Sequence, residues 1–172
     1  MEDFKIIQLH PECWKEYRDL RLEALQSDPE AFGQKYDKAL DFPDKYWIDH
    51  LKRTLKKDKL IVYFAENRGK LIGMMGAFFH YDKETKDSAR IFSVYVDRRY
   101  RGLGVAKKLQ AHLLEELRHV KKLKKIRVMV NKKQISASNL YKQGNFKIIK
   151  TEKEILGDGK EYEVDTMEQS LN

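Results

Sequence analysis

The sequence predicts an α/β fold, a mixed sheet flanked by helices. Three observations lead there. Strand-type and helical patterns alternate in the order β-α-α-β-β-β-α-β-α-β-β. The apolar run from Ile91 to Val96 passes through a short basic loop with two glycines straight into an amphipathic helix. The 172 residues, 41% of them hydrophobic, suffice for one domain over residues 1–172 with a sizeable core.

Phe4 to Leu9 reads as a short first strand. Pro11 falls early in a helix, where its missing N–H is harmless, and Trp14, Tyr17, Leu20, Leu22 and Leu25 recur at roughly helical spacing. Asp28-Pro29 breaks that helix. Residues 29–41 read as loop, with Phe32 and Tyr36 available to face a pocket. Pro43 to Leu55 reads as a second helix carrying Tyr46, Trp47 and Leu51. Leu60 to Ala65 is a strand, Asn67-Arg68-Gly69 a turn, and Lys70 to Phe79 the next strand, in which Gly73 and Gly76 mark a weak point or a bulge. His80 to Asp87 reads as a polar hairpin loop and Ala89 to Val96 as the central strand. The helix from about Gly104 to Val120 puts Val105, Leu109, Leu113, Leu117 and Val120 on one face. Ile126 to Val130 is a strand. A short helix opens at Ser136 or Ala137 and ends near Gly144, a strand starts at Phe146–Ile149, and Gly157-Asp158-Gly159 turns the chain into a last strand, Tyr162–Met167.

Composition narrows the function. No apolar run approaches the ~18–20 residues of a membrane span, and the first residues lack the basic and apolar regions of a signal peptide. The single Cys13 excludes an intramolecular disulfide and a cysteine-rich metal site. His10, His50, His112 and His119 show no metal-ligand spacing, so no metal is expected. These points describe a soluble cytoplasmic protein with no membrane partner. Lys plus Arg number 35 against 27 acids, a net charge of +8, which suits an anionic ligand. Much of the excess lies in Lys121 to Lys125, which reads either as a solvated helix end whose cations complement the dipole or as a basic patch for the ligand's nucleotide or an acidic partner.

The stretch Val94 to Leu117 carries the chemistry. A helix start aims backbone N–H groups at one spot under the positive end of the macrodipole, which makes a phosphate site. Glycines let the ligand approach the backbone. A Walker loop is absent. The dinucleotide fingerprint fails because Lys107 stands where a third small residue is needed. Arg101-Gly102-Leu103-Gly104-Val105-Ala106 instead matches Arg/Gln-x-x-Gly-x-Gly/Ala at all three fixed positions. Here the chain resembles the GNAT N-acetyltransferases, whose pyrophosphate loop has that form. Val94-Tyr95-Val96-Asp97 is similar to the family's central strand, and Ala137-Ser138-Asn139-Leu140-Tyr141 with Phe146 to its A-x-x-L-Y-x-x-x-G-F segment.

The resemblance, over roughly Leu60 to Glu168, implies a mostly antiparallel central sheet with two splayed parallel strands, Ala89–Val96 and Ile126–Val130. Acetyl-CoA would lie between them as cosubstrate. It implies that Val94 and Val96, with Tyr95 between them, offer main-chain groups to the pantetheine arm. Gly102, Gly104, Val105 and Ala106, with Leu103 and Lys107 in the same stretch, would hold the pyrophosphate, and Arg101 would add a charge-assisted contact. Tyr141 aligns with the tyrosine that protonates the departing thiolate. Gln134 stands where the family has asparagine, leaving Gln134 and Asn131 as candidate cofactor contacts. Asn145 replaces the usual glycine before Phe146, and asparagine tolerates the left-handed backbone such a helix stop needs.

No general base stands out. Some relatives have a glutamate on the second splayed strand where this chain has Met129. Glu23, Glu30, Asp97 and His80 are candidates, beside a chain of waters. The resemblance implies direct acetyl transfer to a primary amine: a polyamine, an antibiotic or other small-molecule amine, an amino acid or a peptide N-terminus, with a bulkier acyl-CoA in the same fold as the nearest enzyme alternative. A homodimer is compatible with it. A catalytically weak or silent CoA-binding regulator is one alternative. A basic nucleic-acid-binding module is another, though nucleic acid is disfavoured because aromatics do not interleave with basic residues.

Overall fold

The computed structural model describes residues 4–57, 59–79 and 86–171, so most of the expected 80–87 hairpin loop, His80 included, lies outside the described residues. Strand β1 (Lys5–Ile7) leads through a 3-10 turn at Pro11–Cys13 into helix α1 (Trp14–Ser27). A second 3-10 turn at Pro29–Ala31 precedes α2 (Tyr36–Leu40) and α3 (Asp44–Leu55). Strands β2 (Leu60–Asn67), β3 (Lys70–Phe79) and β4 (Ser88–Val96) follow, then α4 (Val105–Arg118), β5 (Lys125–Asn131), α5 (Ile135–Gln143), β6 (Lys147–Ile155) and β7 (Glu161–Ser170). The order agrees with the sequence reading except in 29–41, which is partly helical rather than loop. Five-residue α2 is too short to display a period, and burial of Ala39 holds it.

The seven strands form one sheet in the order β1-β2-β3-β4-β5-β7-β6. Each neighbouring pair is antiparallel except β4 and β5. Side chains alternate across the sheet. On β2, Leu60, Val62 and Phe64 pack with Leu20, Leu25, Trp47 and Leu51 of α1 and α3. Ile61 and Ala65 face the other way, toward Val105, Leu109, Leu113 and Leu117 of α4. The sheet is therefore covered on both faces, and Lys121, Lys122 and Lys124 beyond α4 are exposed.

The parallel pair comes apart. β4 and β5 are in register only at Ser88↔Lys125, Ala89↔Ile126 and Arg90↔Arg127. The cause lies on the other side of β4. Met74 pairs with Tyr95 but Gly76 pairs with Phe92, so Ser93 and Val94 together face Met75. Ser93 has φ 54°, and such a bulge bends the strand away from its partner. Gly76 makes room: a Cβ there would lie 2.8 Å from the Phe92 ring and 2.9 Å from the Ile61 carbonyl oxygen. The bulge anticipated near Gly73 and Gly76 is thus carried by the facing strand.

His50 of α3 packs against Tyr17, Tyr46 and Phe92 at ring separations of 5.5, 6.0 and 6.3 Å. Burial, reinforced by the charges of Arg53 and Arg21, pushes its pKa down from 6.5 to about 4. Between those values the unfolded chain binds a proton that the folded chain refuses. Stability is therefore fully present above pH 6.5 and declines as pH falls toward 4. Urea unfolding followed against pH is expected to show a loss of up to about 3 kcal/mol from this group, and His50→Gln to remove that share.

Candidate active site

The turn after β4 is built by Asp97, whose carboxylate accepts from the Arg99 backbone at 3.0 Å. Gly102 and Gly104 follow with φ 78° and 82°, conformations that glycine adopts without strain. Lys108 N–H donates to the Gly104 carbonyl at 3.0 Å and opens the α4 ladder. From Gly102 to Lys107 no backbone N–H has an acceptor among the described residues. Val105 is buried, while Gly102, Leu103, Gly104 and Lys107 are exposed. Six donors at a helix start are thus available to an anion.

Arg101 holds the loop's shape. Its Nε donates to the Val96 carbonyl at 2.9 Å and its Nη2 to Asp28 at 2.5 Å. Arg98 reaches the same carboxylate at 3.1 Å and also the Ser27 carbonyl. Asp28 ends α1. Burial works against its charge, but hydrogen bonds from Arg101, Arg98 and Ser27 outweigh that and hold its carboxyl below the ordinary range. The sequence reading aims Arg101 at a pyrophosphate; in the structure its Nε and Nη2 tie the loop to β4 and α1.

Where β4 and β5 part, a cavity of about 350 Å³ opens beside Phe92 and Ser93 of β4 and Met129 of β5. Phe32 lines it, as the sequence suggests; Tyr36 does not. The β6–β7 turn closes one side, because Gly157 N–H donates to the Phe32 carbonyl at 2.6 Å. Only glycine fits there: a Cβ would lie 2.7 Å from the Gln34 carbonyl oxygen. Val94 and Val96 border the α4-side core, whereas the Tyr95 side chain turns to the opposite face and donates to Glu23 at 3.2 Å. For Tyr95, any contact on the splayed side is left to the main chain.

Helix α5 ends in a Schellman arrangement. Asn145 has φ 64°, Phe146 N–H donates to Tyr141 O at 3.0 Å, and Asn145 N–H to Lys142 O at 3.1 Å. The rings of Tyr141 and Phe146 meet edge to face at 5.4 Å. Asparagine thus performs the stop that glycine usually makes. Tyr141 is 1% exposed and shares a core cluster with Val128 and Val130 of β5. Its hydroxyl has no hydrogen-bond partner, and burial drives its pKa well above the usual phenol value. Asn131 spends its amide on the Glu30 carbonyl (3.1 Å) and the Lys133 N–H (3.0 Å). Gln134 caps the start of α5 without a side-chain capping bond.

The base candidates scatter. Asp97 is locked by Arg99 and faces Lys70 at 3.8 Å, with Arg99 the main reason its pKa is lowered. Glu23 and Glu30 are not among the cavity's lining residues, and His80 lies outside the described residues. Glu154 of β6, Arg21 of α1 and Arg90 of β4 do line it, and sequence reasoning missed all three. Arg21 carried a readable signal: it sits four residues after Tyr17 on the apolar face of α1. Among the described residues no group of three His, Cys, Asp or Glu could hold a metal, and no helix is long and apolar enough to cross a membrane.

The model of the acetyltransferase (GNAT) family matches residues 10–145. The acetyltransferase of the GNAT family from Streptococcus pneumoniae shares the fold at TM-score 0.87 and 17% identity, covering 99% of this chain and 100% of that one. YncA, a putative acetyltransferase from Salmonella typhimurium solved with its cofactor acetyl-CoA, follows at TM-score 0.81 and 14% identity over 99% and 95% of the two chains. The PaiA N-acetyltransferase from Thermoplasma acidophilum, in complex with coenzyme A, reaches TM-score 0.73 and 15% identity over 98% and 99%. No curated protein matches the sequence.

Asp28→Asn is expected to loosen the loop. The guanidiniums are about half exposed, so the cost is about 1 kcal/mol rather than that of a buried pair. Amide exchange over 98–104 should quicken while β2 and β3 stay protected. Because the native carboxyl titrates low, the difference in stability is present above pH 4 and closes as pH falls through the Asp28 pKa.

Proposed function

Because the chain belongs to the acetyltransferase (GNAT) family, we propose that it is an N-acetyltransferase that moves acetyl from acetyl-CoA to a primary amine by direct attack. The observation that carries this reading is the unzipped β4–β5 pair, with a loop of free N–H groups after β4 and a buried, unpartnered phenol on α5. Gly102 to Lys107 would take the pyrophosphate on backbone N–H groups, with Arg101 holding the loop in shape. Main-chain groups of Val94, Tyr95 and Val96, beyond the last β4–β5 pair, would bond the pantetheine arm as a strand does. Asn131 would contribute by fixing the end of β5, and Gln134 through its amide.

The acceptor nitrogen attacks the thioester carbon, a tetrahedral intermediate forms, and the C–S bond breaks. Tyr141 donates to the departing sulfur. Burial keeps the phenol protonated, so the hydrogen is present at every working pH. A thiol has a pKa near 8.5, and full transfer from so weak an acid runs uphill. The gain is therefore a hydrogen bond that strengthens as charge develops on sulfur. The ammonium formed on the acceptor gives its proton to Glu154, the carboxylate on the cavity wall, or to water. The expelled CoA thiolate takes up a proton from Glu154 or from water, which returns the one released from nitrogen, so the products are the N-acetyl amine and free CoA thiol.

Acetyl-CoA at ~100 times its Kd should stabilise the fold by about 2.7 kcal/mol, read as a higher melting temperature. Gly104→Glu should abolish that shift in a folded variant, because a carboxylate would stand where phosphate binds. Tyr141→Phe should retain acetyl-CoA affinity but lose roughly 10²–10⁴ in kcat. Unchanged kcat where chemistry limits turnover would make Tyr141 a packing residue, and an equal loss of affinity and rate would make it a cofactor contact.

A further inference from the structure

The cavity beside the splayed strands has a charge pattern that acetyl transfer does not require. Arg21 is 9% exposed, and burial lowers its pKa. Its Nη2 donates to the neutral Gln34 side chain at 2.8 Å, its guanidinium stacks over Phe32 at 4.7 Å, and its Nη1 is buried without a partner. No carboxylate among the described residues pairs with it. A buried cation left in this state is costly, and most are paired. Arg90 borders the same cavity. It is exposed, touches Met129 Sδ at 2.8 Å, and likewise has no carboxylate partner among the described residues. Glu154 supplies a negative charge on the cavity wall. The stacked rings of Phe78 and Phe92, 4.2 Å apart, supply an apolar floor.

Two unneutralised guanidiniums and one carboxylate around about 350 Å³ complement a small zwitterion. We propose that the acceptor is a small amine that itself carries a carboxylate, of the free amino acid type. Its acid group binds Arg21, with Arg90 at the rim, and its ammonium is held by Glu154 before it loses a first proton to water, which frees the lone pair for attack. This rests on the acetyl-transfer reading above. Arg21 is then a specificity-determining residue whose missing partner is the substrate. A polyamine is the wrong sign for this cavity, and its entry would place more positive charge beside an already unpaired cation.

The test uses the full chain with saturating acetyl-CoA, reading released thiol. Free amino acids are compared with their carboxamides and with the decarboxylated amines. The free acids should exceed the matched amides by about 10²-fold in kcat/KM, the scale of a desolvated charge pair. Arg21→Gln should raise KM for the acids by about the same factor, leave that of the amides unchanged, and preserve acetyl-CoA affinity. Arg90→Gln, a change at an exposed side chain, should raise KM for the acids alone. Arg21→Met, which keeps the stem, should melt no lower than the parent. Equal turnover of acids and amides overturns the proposal, as does an equal loss on both in Arg21→Gln or a clearly lower melting point for Arg21→Met. Normal acetyl-CoA binding with no acid accepted overturns it too. Failure to bind acetyl-CoA would instead strike the acetyl-transfer reading. In that case calorimetry with the same acids and amides, on parent and Arg21→Gln, still decides whether Arg21 selects a carboxylate.

Discussion

The bulge at Ser93 and Val94 is the constraint on which the rest depends. Two residues facing Met75 bend β4, and the bend ends its ladder with β5 after Arg90. Beyond that point both strands keep backbone donors and acceptors without a strand partner, and such groups need partners when water is excluded. A ligand that runs like a strand is the natural occupant. The bend also separates β4 and β5 enough to open the cavity, so the unzipped strand edges and the cavity have one geometric cause. Gly76 is its steric condition, since a side chain there would strike Phe92 and the Ile61 carbonyl.

The second element is the clamp between α1 and the loop. Asp28 gathers two arginines, and one of them also holds the Val96 carbonyl. A loop whose donors must remain unsatisfied until a ligand arrives cannot be stabilised through those donors. Its side chains do the work instead: Arg98 and Arg101 reach back to α1, and Arg99 to Asp97. The basic residues that look in sequence like phosphate ligands are therefore partly scaffold, and the donors left without an acceptor are on the main chain.

Much of this was legible in the sequence, and what was not has physical reasons. Strand and helix periods, and the glycine spacing at Gly102 and Gly104, are local patterns. The unusual helix stop at Asn145 could be read because left-handed backbone has a residue preference. The roles of Arg101 and Asn131 were not readable, since their partners Asp28 and Glu30 are 73 and 101 residues away. Arg21, Arg90 and Glu154 come from α1, β4 and β6, which only the folded sheet brings to one cavity. The one trace Arg21 left was a charge on an apolar helix face. In a chain with 35 basic residues that signal is faint until burial is known.

That burial also explains why the fold tolerates an unpaired cation. Arg21 lies between the α1–α3 core and the open cavity, so part of its cost is offset by Gln34 and by the face of Phe32. His50 nearby is held neutral, in part by Arg21 itself, which spares the region a second positive charge. The local field is thus positive but not extreme, and it is preorganised: the guanidinium needs no reorientation to meet an anion because packing already fixes it. A site of this kind gives up folding stability to gain selectivity. Under the proposal above it would discriminate through a group left without its counter-charge, so that rejection of the wrong ligand would come from the unpaired buried cation as much as acceptance of the right one would come from a new contact.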